Sequence, residues 1–163
     1  MSEKPRPIVV IDTQLILRAT LNAKSLPARM LFQLRNAYLL AVSPEVRAEV
    51  QDVLTRPKIR KKFPQITDND VSRTMAVLDG GLQVQPDSVP VASRDPKDDK
   101  FLALAVTAKA TYLVSEDNDL LVLNPYQQIR ILNALDFLHE IEKWAGDKSA
   151  HANDSLVDDS APE

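Results

Sequence analysis

The chain has 163 residues, a hydrophobic fraction of 44% and a formal net charge of −3, which together predict one globular domain large enough to bury a full core. It contains no cysteine and only two histidines, so disulfides, thiol catalysis and zinc–thiolate sites are excluded and His-based sites are disfavoured. No apolar run approaches the roughly 20 residues that span a bilayer, and the polar first residues do not resemble a signal peptide. We therefore expect no membrane segment and a cytoplasmic location.

The pattern of apolar, capping and breaking residues predicts strands that alternate with helices. The first strand is a continuous β-branched run after Pro7, which is typical of a buried parallel strand. Ser43 before Pro44 and the capping-box spacing from Thr67 indicate two helix starts. In chain order the predicted elements are a strand at 8–11, a helix at 28–36, a strand at 38–42, helices at 44–54 and 67–78, a strand at 82–85, a helix at 95–108, strands at 112–114 and 129–132, and a helix at 134–144. This alternation predicts an α/β sandwich around a central, mainly parallel sheet.

The composition changes near the C-terminal end. After Trp144 the sequence from Gly146 onward is small, polar and acidic, so we expect a disordered tail there. The predicted organisation is one domain over residues 1–145 and an acidic tail over 146–163. A loop is expected at 86–93, between the third strand and the helix that follows it.

Two acidic residues follow predicted strands. Asp12 comes directly after the first strand, and Asp117 comes shortly after the strand at 112–114. In open parallel sheets, ligands bind at the carboxyl ends of the strands, and Asp119 can reach the same place. The alternative is structural, because aspartates are common in turns and helix caps and Asp117 would cap a short helix at 120–123.

Two further acids lie on helices, close to the apolar face. Glu49 lies beside the apolar stripe of its helix, and Asp98 opens the buried stripe of another, while Asp99 points about a quarter-turn away. The alternatives are a rim glutamate paired with a cation such as Arg47 or Arg56, and a capping box between Asp95 and Asp98. Buried carboxylates are costly unless a positive charge neutralises them. Four that converge would supply hard oxygen ligands for a divalent metal.

A basic run follows the helix that ends near Leu54. Its five cations within seven positions are Arg56, Lys58, Arg60, Lys61 and Lys62. The run is either a solvated helix end or a patch that steers phosphate. The acidic net charge does not itself indicate a nucleic-acid binder, but several acids in one metal cluster would leave the remaining surface close to neutral.

Taken in order, five segments of the chain resemble the PIN-domain family, over residues 8–138. The segments are Ile11-Asp-Thr-Gln, Ser43-Pro-Glu-Val-Arg-Ala-Glu-Val, Leu54-Thr-Arg-Pro-Lys, Asp95-Pro-Lys-Asp-Asp-Lys-Phe-Leu-Ala-Leu-Ala and Tyr112-Leu-Val-Ser-Glu-Asp-Asn-Asp-Leu-Leu. Within the family the chain is similar to the bacterial VapC-like ribonucleases, the toxin components of toxin–antitoxin systems. The resemblance implies a three-layer α/β/α sandwich with a central, mainly parallel sheet. It also implies cleavage of single-stranded RNA with Mg²⁺ or Mn²⁺.

The resemblance also implies roles for individual residues. The catalytic acids are Asp12, Glu49, Asp98 and Asp117, and with Asp119 they form the metal ligands. Substrate binding is assigned to Thr13, Gln14 and Ser115 together with the basic run Arg56, Lys58, Arg60, Lys61 and Lys62. The implied partners are RNA, an antitoxin protein and a second copy of the chain. The apolar segment 28–34 would form the dimer interface or, as the alternative, would pack into the core.

Two departures from the family pattern motivate a second hypothesis. Position 14 is Gln where relatives commonly have Asn, and Glu116 stands where a glycine is common. The alternative function is therefore a catalytically weakened PIN-fold module that binds RNA or a protein partner. A third idea, a phosphatase with Asp12 as nucleophile, is disfavoured because that chemistry wants a second acid at position 14.

Overall fold

The central sheet is parallel throughout the part of the chain that the structure describes. The computed structural model describes residues 5–87 and 95–159, with side chains as far as Gly146, so most of the loop predicted at 86–93 lies outside the described residues. Five strands are present there: β1 Ile8–Ile11, β2 Leu39–Val42, β3 Leu82–Gln83, β4 Tyr112–Val114 and β5 Arg130–Leu132. They lie side by side in the order β3-β2-β1-β4-β5. The predicted α/β class and its parallel sheet are confirmed.

Helices connect the strands. In the described residues they are α1 Thr13–Leu21, α2 Leu26–Ala28, α3 Pro44–Thr55, α4 Pro57–Lys62, α5 Asp68–Asp79, α6 Asp99–Ala108, α7 Asn118–Leu121 and α8 Ala134–Asp159, with a π-helical turn at Arg29–Gln33 and 3₁₀ turns at Arg35–Ala37 and Pro96–Asp98. The predicted caps are confirmed, since the Ser43 side chain accepts from the amide of Val46 and Thr67 forms a capping box with Asp70. No described helix is both long and apolar enough to cross a membrane.

The order of the strands reverses between β1 and β4. The chain moves from β1 to β2 and β3, and then α6 carries it back across the sheet to β4 on the other side of β1. Helix α6 packs against β1, β2 and β4, whereas α1, α3 and α5 contact one another and α5 contacts β2. Parallel crossovers are right-handed. The helices that connect strands on one side of β1 and the helix that leads back to β4 on its other side therefore lie on opposite faces of the sheet. The result is the three-layer α/β/α sandwich expected from the resemblance.

The apolar segment after α2 packs into the core. Ala28, Met30 and Leu31 are buried, and the hydroxyl of Tyr38 donates to the carbonyl oxygen of Met30 over 2.6 Å. The single helix predicted at 28–36 is instead a short α-helix, a π turn and a 3₁₀ turn. These contacts favour the core-packing interpretation of this segment over a dimer interface.

Helix α8 is longer than the sequence pattern predicts. Its backbone continues past Trp144 and Gly146 as far as Asp159, so the predicted end near residue 144 is wrong. One glycine inside a helix costs only about 1 kcal/mol relative to alanine, and no proline occurs between Gly146 and Asp159 to stop the helix. The division into a domain at 1–145 and a tail at 146–163 stays a prediction.

The turn before β3 requires a glycine. A Cβ atom at Gly81 would lie 2.4 Å from the carbonyl oxygen of Leu40, whereas one at Gly146 would meet nothing within 4 Å. We expect Gly81→Ala to lower the free energy of unfolding by about 1–3 kcal/mol, because the backbone of β2 must move. The matched Gly146→Ala change should raise it by up to about 1 kcal/mol. Urea denaturation checks both, and an equal stability of the two variants would contradict the close packing at Gly81.

Candidate active site at the carboxyl edge of the sheet

Strands β1 and β4 bring two of the predicted acids to the same edge of the sheet. Asp12 directly follows β1, and its amide donates to the carbonyl oxygen of Val114, the last residue of β4, over 3.0 Å. Asp117 lies three residues beyond Val114. The strand order reverses between these two strands, and such a switch point leaves a crevice where ligands bind in open α/β sheets. The site therefore lies where the topology places a binding crevice.

A buried serine joins the two strand-end aspartates. The hydroxyl of Ser115 donates to Oδ2 of Asp12 over 2.8 Å and accepts from the amide of Asp117 over 3.0 Å. The other oxygen of Asp12 accepts from the amide of Gln14 over 2.8 Å. Asp12 thus caps α1 through one oxygen and is held by Ser115 through the other. The capping and functional interpretations of this residue are compatible.

The carboxyl group of Asp12 is buried and surrounded by like charges. Burial raises its pKa, the hydrogen bonds from Gln14 and Ser115 oppose this, and the charges of Asp117 and Glu49 raise the pKa further. The net direction is upward. A carboxylate with a raised pKa in a crevice is typical of a site that a cation completes.

Asp98 has a buried oxygen without a partner. The residue is 7% exposed, and its Oδ2 atom is one of two buried side-chain polar atoms among the described residues that have no hydrogen-bond partner. Burial raises the pKa of this carboxyl to about 7, with further contributions from the hydrogen bond and charge of Asp117 and from the charges of Asp12 and Asp95. An unsatisfied buried carboxylate oxygen is costly, and a cation bound at this oxygen would remove the cost.

Three carboxylates lie close enough to share an ion. One oxygen from each of Asp98, Asp117 and Asp119 lies within 4.8 Å of the other two. Asp117 also caps α7 by accepting from the amide of Asp119 over 2.9 Å. Carboxylate oxygens are the ligands that Mg²⁺ and Mn²⁺ prefer. These three residues, with the unpartnered oxygen of Asp98, fit a divalent metal of this kind.

Glu49 lies near the acids but is paired with a cation. Its carboxylate accepts a hydrogen bond from the ammonium group of Lys100, in the first turn of α6. The rim interpretation predicts a cation as the partner, and Glu49 does pair with one. The two arginines suggested for this role are engaged elsewhere, since Arg47 pairs with Asp79 and Arg56 with Asp52. Lys100 was not predicted from the sequence. The contact joins α3 to α6, and no local spacing indicates it.

Asp99 is buried, contrary to its predicted position. It is 2% exposed, although the helical pattern points it away from the stripe that Asp98 opens. Two features of α6 explain the difference. The helix follows a 3₁₀ turn at Pro96–Asp98, which changes the angle between successive side chains, and its residues 101–105 are all buried, so α6 has no single inward face.

Thr13 and Gln14, both predicted to bind substrate, differ in their exposure to solvent. Thr13 is buried with an unpartnered hydroxyl, and Gln14 is exposed beside it.

Glu116, the unusual residue of the last motif, accepts from the amide of Ala134 at the start of α8 over 3.4 Å. Its carboxylate therefore reaches toward a helix N-terminus, which favours a negative charge. This contact gives the negative charge of Glu116 a partner at the start of α8. It therefore weakens the argument that Glu116 lowers the activity of the site.

The basic run begins between α3 and α4 and continues along α4. Arg56 pairs with Asp52 at 2.5 Å, and Arg60 pairs with Asp68 at 2.7 Å. Two of the five cations are therefore already neutralised, and the role of the run in phosphate steering stays a prediction.

Comparison with known proteins assigns the chain to a family. Residues 8–119 match the family model of the PIN domain, which is more than half of the chain, and the chain therefore belongs to the PIN-domain family, a family of nucleases. Among curated proteins it is similar to the uncharacterized protein MJ1680 of Methanocaldococcus jannaschii. The two are 26% identical over 152 residues, which cover 87% of this chain and 96% of that protein.

The Ser115 hydroxyl should stabilise the site measurably. Replacing Ser115 by Ala leaves Oδ2 of Asp12 and the amide of Asp117 without this partner, and we expect a loss of about 1–3 kcal/mol in the free energy of unfolding. Ser115→Thr keeps the hydroxyl and serves as the control, with a smaller loss. Urea denaturation with EDTA present measures both. Equal stability of wild type and Ser115→Ala would show that water replaces the hydroxyl at no cost.

Proposed function

We propose that this chain is a metal-dependent endoribonuclease that cleaves single-stranded RNA with Mg²⁺ or Mn²⁺. The observation that carries the proposal is that one carboxylate oxygen from each of Asp98, Asp117 and Asp119 lies within 4.8 Å of the other two. In addition, Asp98 has a buried oxygen without a hydrogen-bond partner. A chain of a nuclease family with this arrangement has the donors that a hydrolytic metal site requires. Membership of the family alone supports nuclease activity, while the choice of RNA follows from the resemblance to VapC-like proteins.

The residues of the site divide into three roles. Asp98, Asp117 and Asp119 hold the metal, and Ser115 orients Asp12, whose buried carboxylate adds negative charge beside them. A divalent metal held by these residues would lower the pKa of a bound water molecule and would neutralise charge on the scissile phosphate. Because the pKa of Asp98 is raised to about 7 in the absence of a metal, protons compete with the metal for this carboxyl group at neutral pH.

RNA would approach this edge of the sheet from the solvent side. Gln14 is exposed next to Asp12 and offers an amide to the phosphate, whereas the hydroxyl of Thr13 is buried and would donate to the phosphate only if the site opened. The cations of the basic run (Arg56, Lys58, Arg60, Lys61 and Lys62), which are exposed except for the half-buried Arg60, would contact the RNA backbone farther along the RNA strand. Such contacts carry little sequence information, so sequence preference would come from the bases near the acids.

The proposed biological role is that of the toxin in a toxin–antitoxin pair, acting in the cytoplasm. The resemblance to VapC-like proteins supports this role and a homodimeric assembly. An antitoxin would inactivate the enzyme by covering the acidic edge of the sheet. Induced expression in a bacterial host tests the role: wild type should arrest growth and Asp117→Asn should not. Normal growth with an active soluble wild-type protein would remove the toxin assignment and leave the nuclease assignment intact.

The activity is tested directly with a panel of nucleic acids. Single-stranded RNA, double-stranded RNA and single-stranded DNA of matched sequence are incubated with the protein and Mn²⁺, with EDTA as the metal-free control. We expect cleavage of single-stranded RNA by wild type and by Asp136→Asn, which changes an exposed aspartate, and none by Asp117→Asn. Cleavage that resists EDTA, or that is equal in all three proteins, would contradict the proposal. Binding of RNA without cleavage would support the non-catalytic module instead.

A further inference from the structure

The pair formed by Glu49 and Lys100 lies at the border of the acidic cluster. Lys100 follows Asp98 by two residues, and its ammonium group bonds to a carboxylate oxygen of Glu49 on α3. The side chains are 20% exposed for Lys100 and 33% exposed for Glu49. The ammonium also lies 5.3 Å from the centre of the Phe101 ring. The ammonium group is thus held by a carboxylate and an aromatic ring, and most of the Lys100 side chain is covered.

The charges of the site indicate a function for this cation. Glu49 is close enough to raise the pKa of Asp12, but it is not in the group of Asp98, Asp117 and Asp119 whose oxygens can meet on one ion. Its charge is balanced by Lys100 instead. Without that ammonium, the half-buried carboxylate of Glu49 would lose the charge that neutralises it and would have the capacity to attract an ion of its own.

We infer that Lys100 acts as a fixed second cation and limits the site to one divalent metal ion per chain, held by Asp98, Asp117 and Asp119. A second ion at Glu49 would have to displace the ammonium. Lys100 would then be a largely buried cation without its partner, at a helix N-terminus that disfavours positive charge and beside a divalent ion. The inference rests on the proposed metal site, and it assigns Lys100 a positioning role that acts through Glu49.

Metal stoichiometry tests this inference without any assay of activity. The full chain is titrated with MnCl₂ at fixed pH and ionic strength, and free Mn²⁺ is measured by electron paramagnetic resonance. We expect one bound ion for wild type and for Lys97→Met, which removes an exposed lysine of the same segment. We expect two for Lys100→Met, and one again for the double variant Glu49→Gln/Lys100→Met. Two ions in wild type, or one in a folded Lys100→Met, would overturn the inference.

A further variant keeps the test decisive if Lys100→Met does not fold. Lys100→Gln keeps a polar side chain that can still donate a hydrogen bond to Glu49 but carries no charge, and it should bind two ions. One bound ion in a folded Lys100→Gln would overturn the inference. Circular dichroism of each variant establishes that it is folded.

The stoichiometry and the proposed function can fail separately. A wild-type chain that binds one Mn²⁺ but cleaves no RNA would retain the single-ion site and lose the ribonuclease assignment. A chain that cleaves RNA with two ions bound would retain the ribonuclease assignment and lose the role of Lys100. A chain that binds no Mn²⁺ would remove both.

Discussion

The Asp98→Asn variant should lose RNA cleavage and gain stability at the same time. Its rate should fall by about 100-fold or more, because a ligand to a catalytic metal contributes several kcal/mol to the transition state. In EDTA its free energy of unfolding at pH 8 should rise by on the order of 2 kcal/mol. The wild-type oxygen is buried without a partner beside Asp117 and Asp12, and the amide removes the like charge that these neighbours repel.

Two measurements on the same protein preparations check this prediction. Initial rates on single-stranded RNA with saturating Mn²⁺ give the loss of activity, and urea denaturation in EDTA gives the change in stability. Asp136→Asn is the matched control, since Asp136 is an exposed aspartate in the first turn of α8, and it should change the rate by less than about twofold. A residue with a purely structural role would lose both stability and activity, so a destabilised Asp98→Asn would contradict the metal assignment.

The placement of the strand-end acids was predictable because it depends on local sequence and one topological rule. A β-branched run that ends in an aspartate indicates a buried parallel strand with a polar end. Once Asp12 and Asp117 follow two such strands, the parallel sheet brings their ends together. Capping residues were predictable for the same reason, since Ser43 and Thr67 act on amides only three residues away.

The features that the sequence did not indicate depend on how helices dock. The pair of Glu49 and Lys100 joins positions 51 residues apart and requires the first turn of α6 to approach the middle of α3. Asp99 is buried because α6 crosses the middle of the sheet and is covered on most sides. Helix α1 was not predicted from the sequence. Its apolar residues continue directly from those of β1, and only the turn at Asp12 separates the two elements.

The stability of the metal-free protein should fall as the pH rises from about 4 to about 7. The carboxyl of Asp98 has its pKa raised to about 7 by burial, whereas the same group titrates near 3.9 in the unfolded chain. Between these values the folded state holds a proton that the unfolded state has lost, so each increase in pH favours unfolding. The contribution is on the order of 4 kcal/mol across this window, and the raised pKa of Asp12 acts in the same direction.

Thermal unfolding in EDTA at several pH values measures this slope, and the difference between wild type and Asp98→Asn isolates the part due to Asp98. The contributions of other titrating groups cancel in that difference. Asp79 is one of them: Arg47 lowers its pKa, so its contribution to stability rises with pH.

Mn²⁺ should reverse the fall in stability with pH, because the metal competes with the proton for Asp98 and stabilises the folded chain by about 2.7 kcal/mol at 100 times its dissociation constant. The increase in Tm on adding Mn²⁺ should thus be larger at pH 8 than at pH 5 for wild type and nearly absent for Asp98→Asn. An increase that is independent of pH and of Asp98 would place the ion elsewhere on the protein.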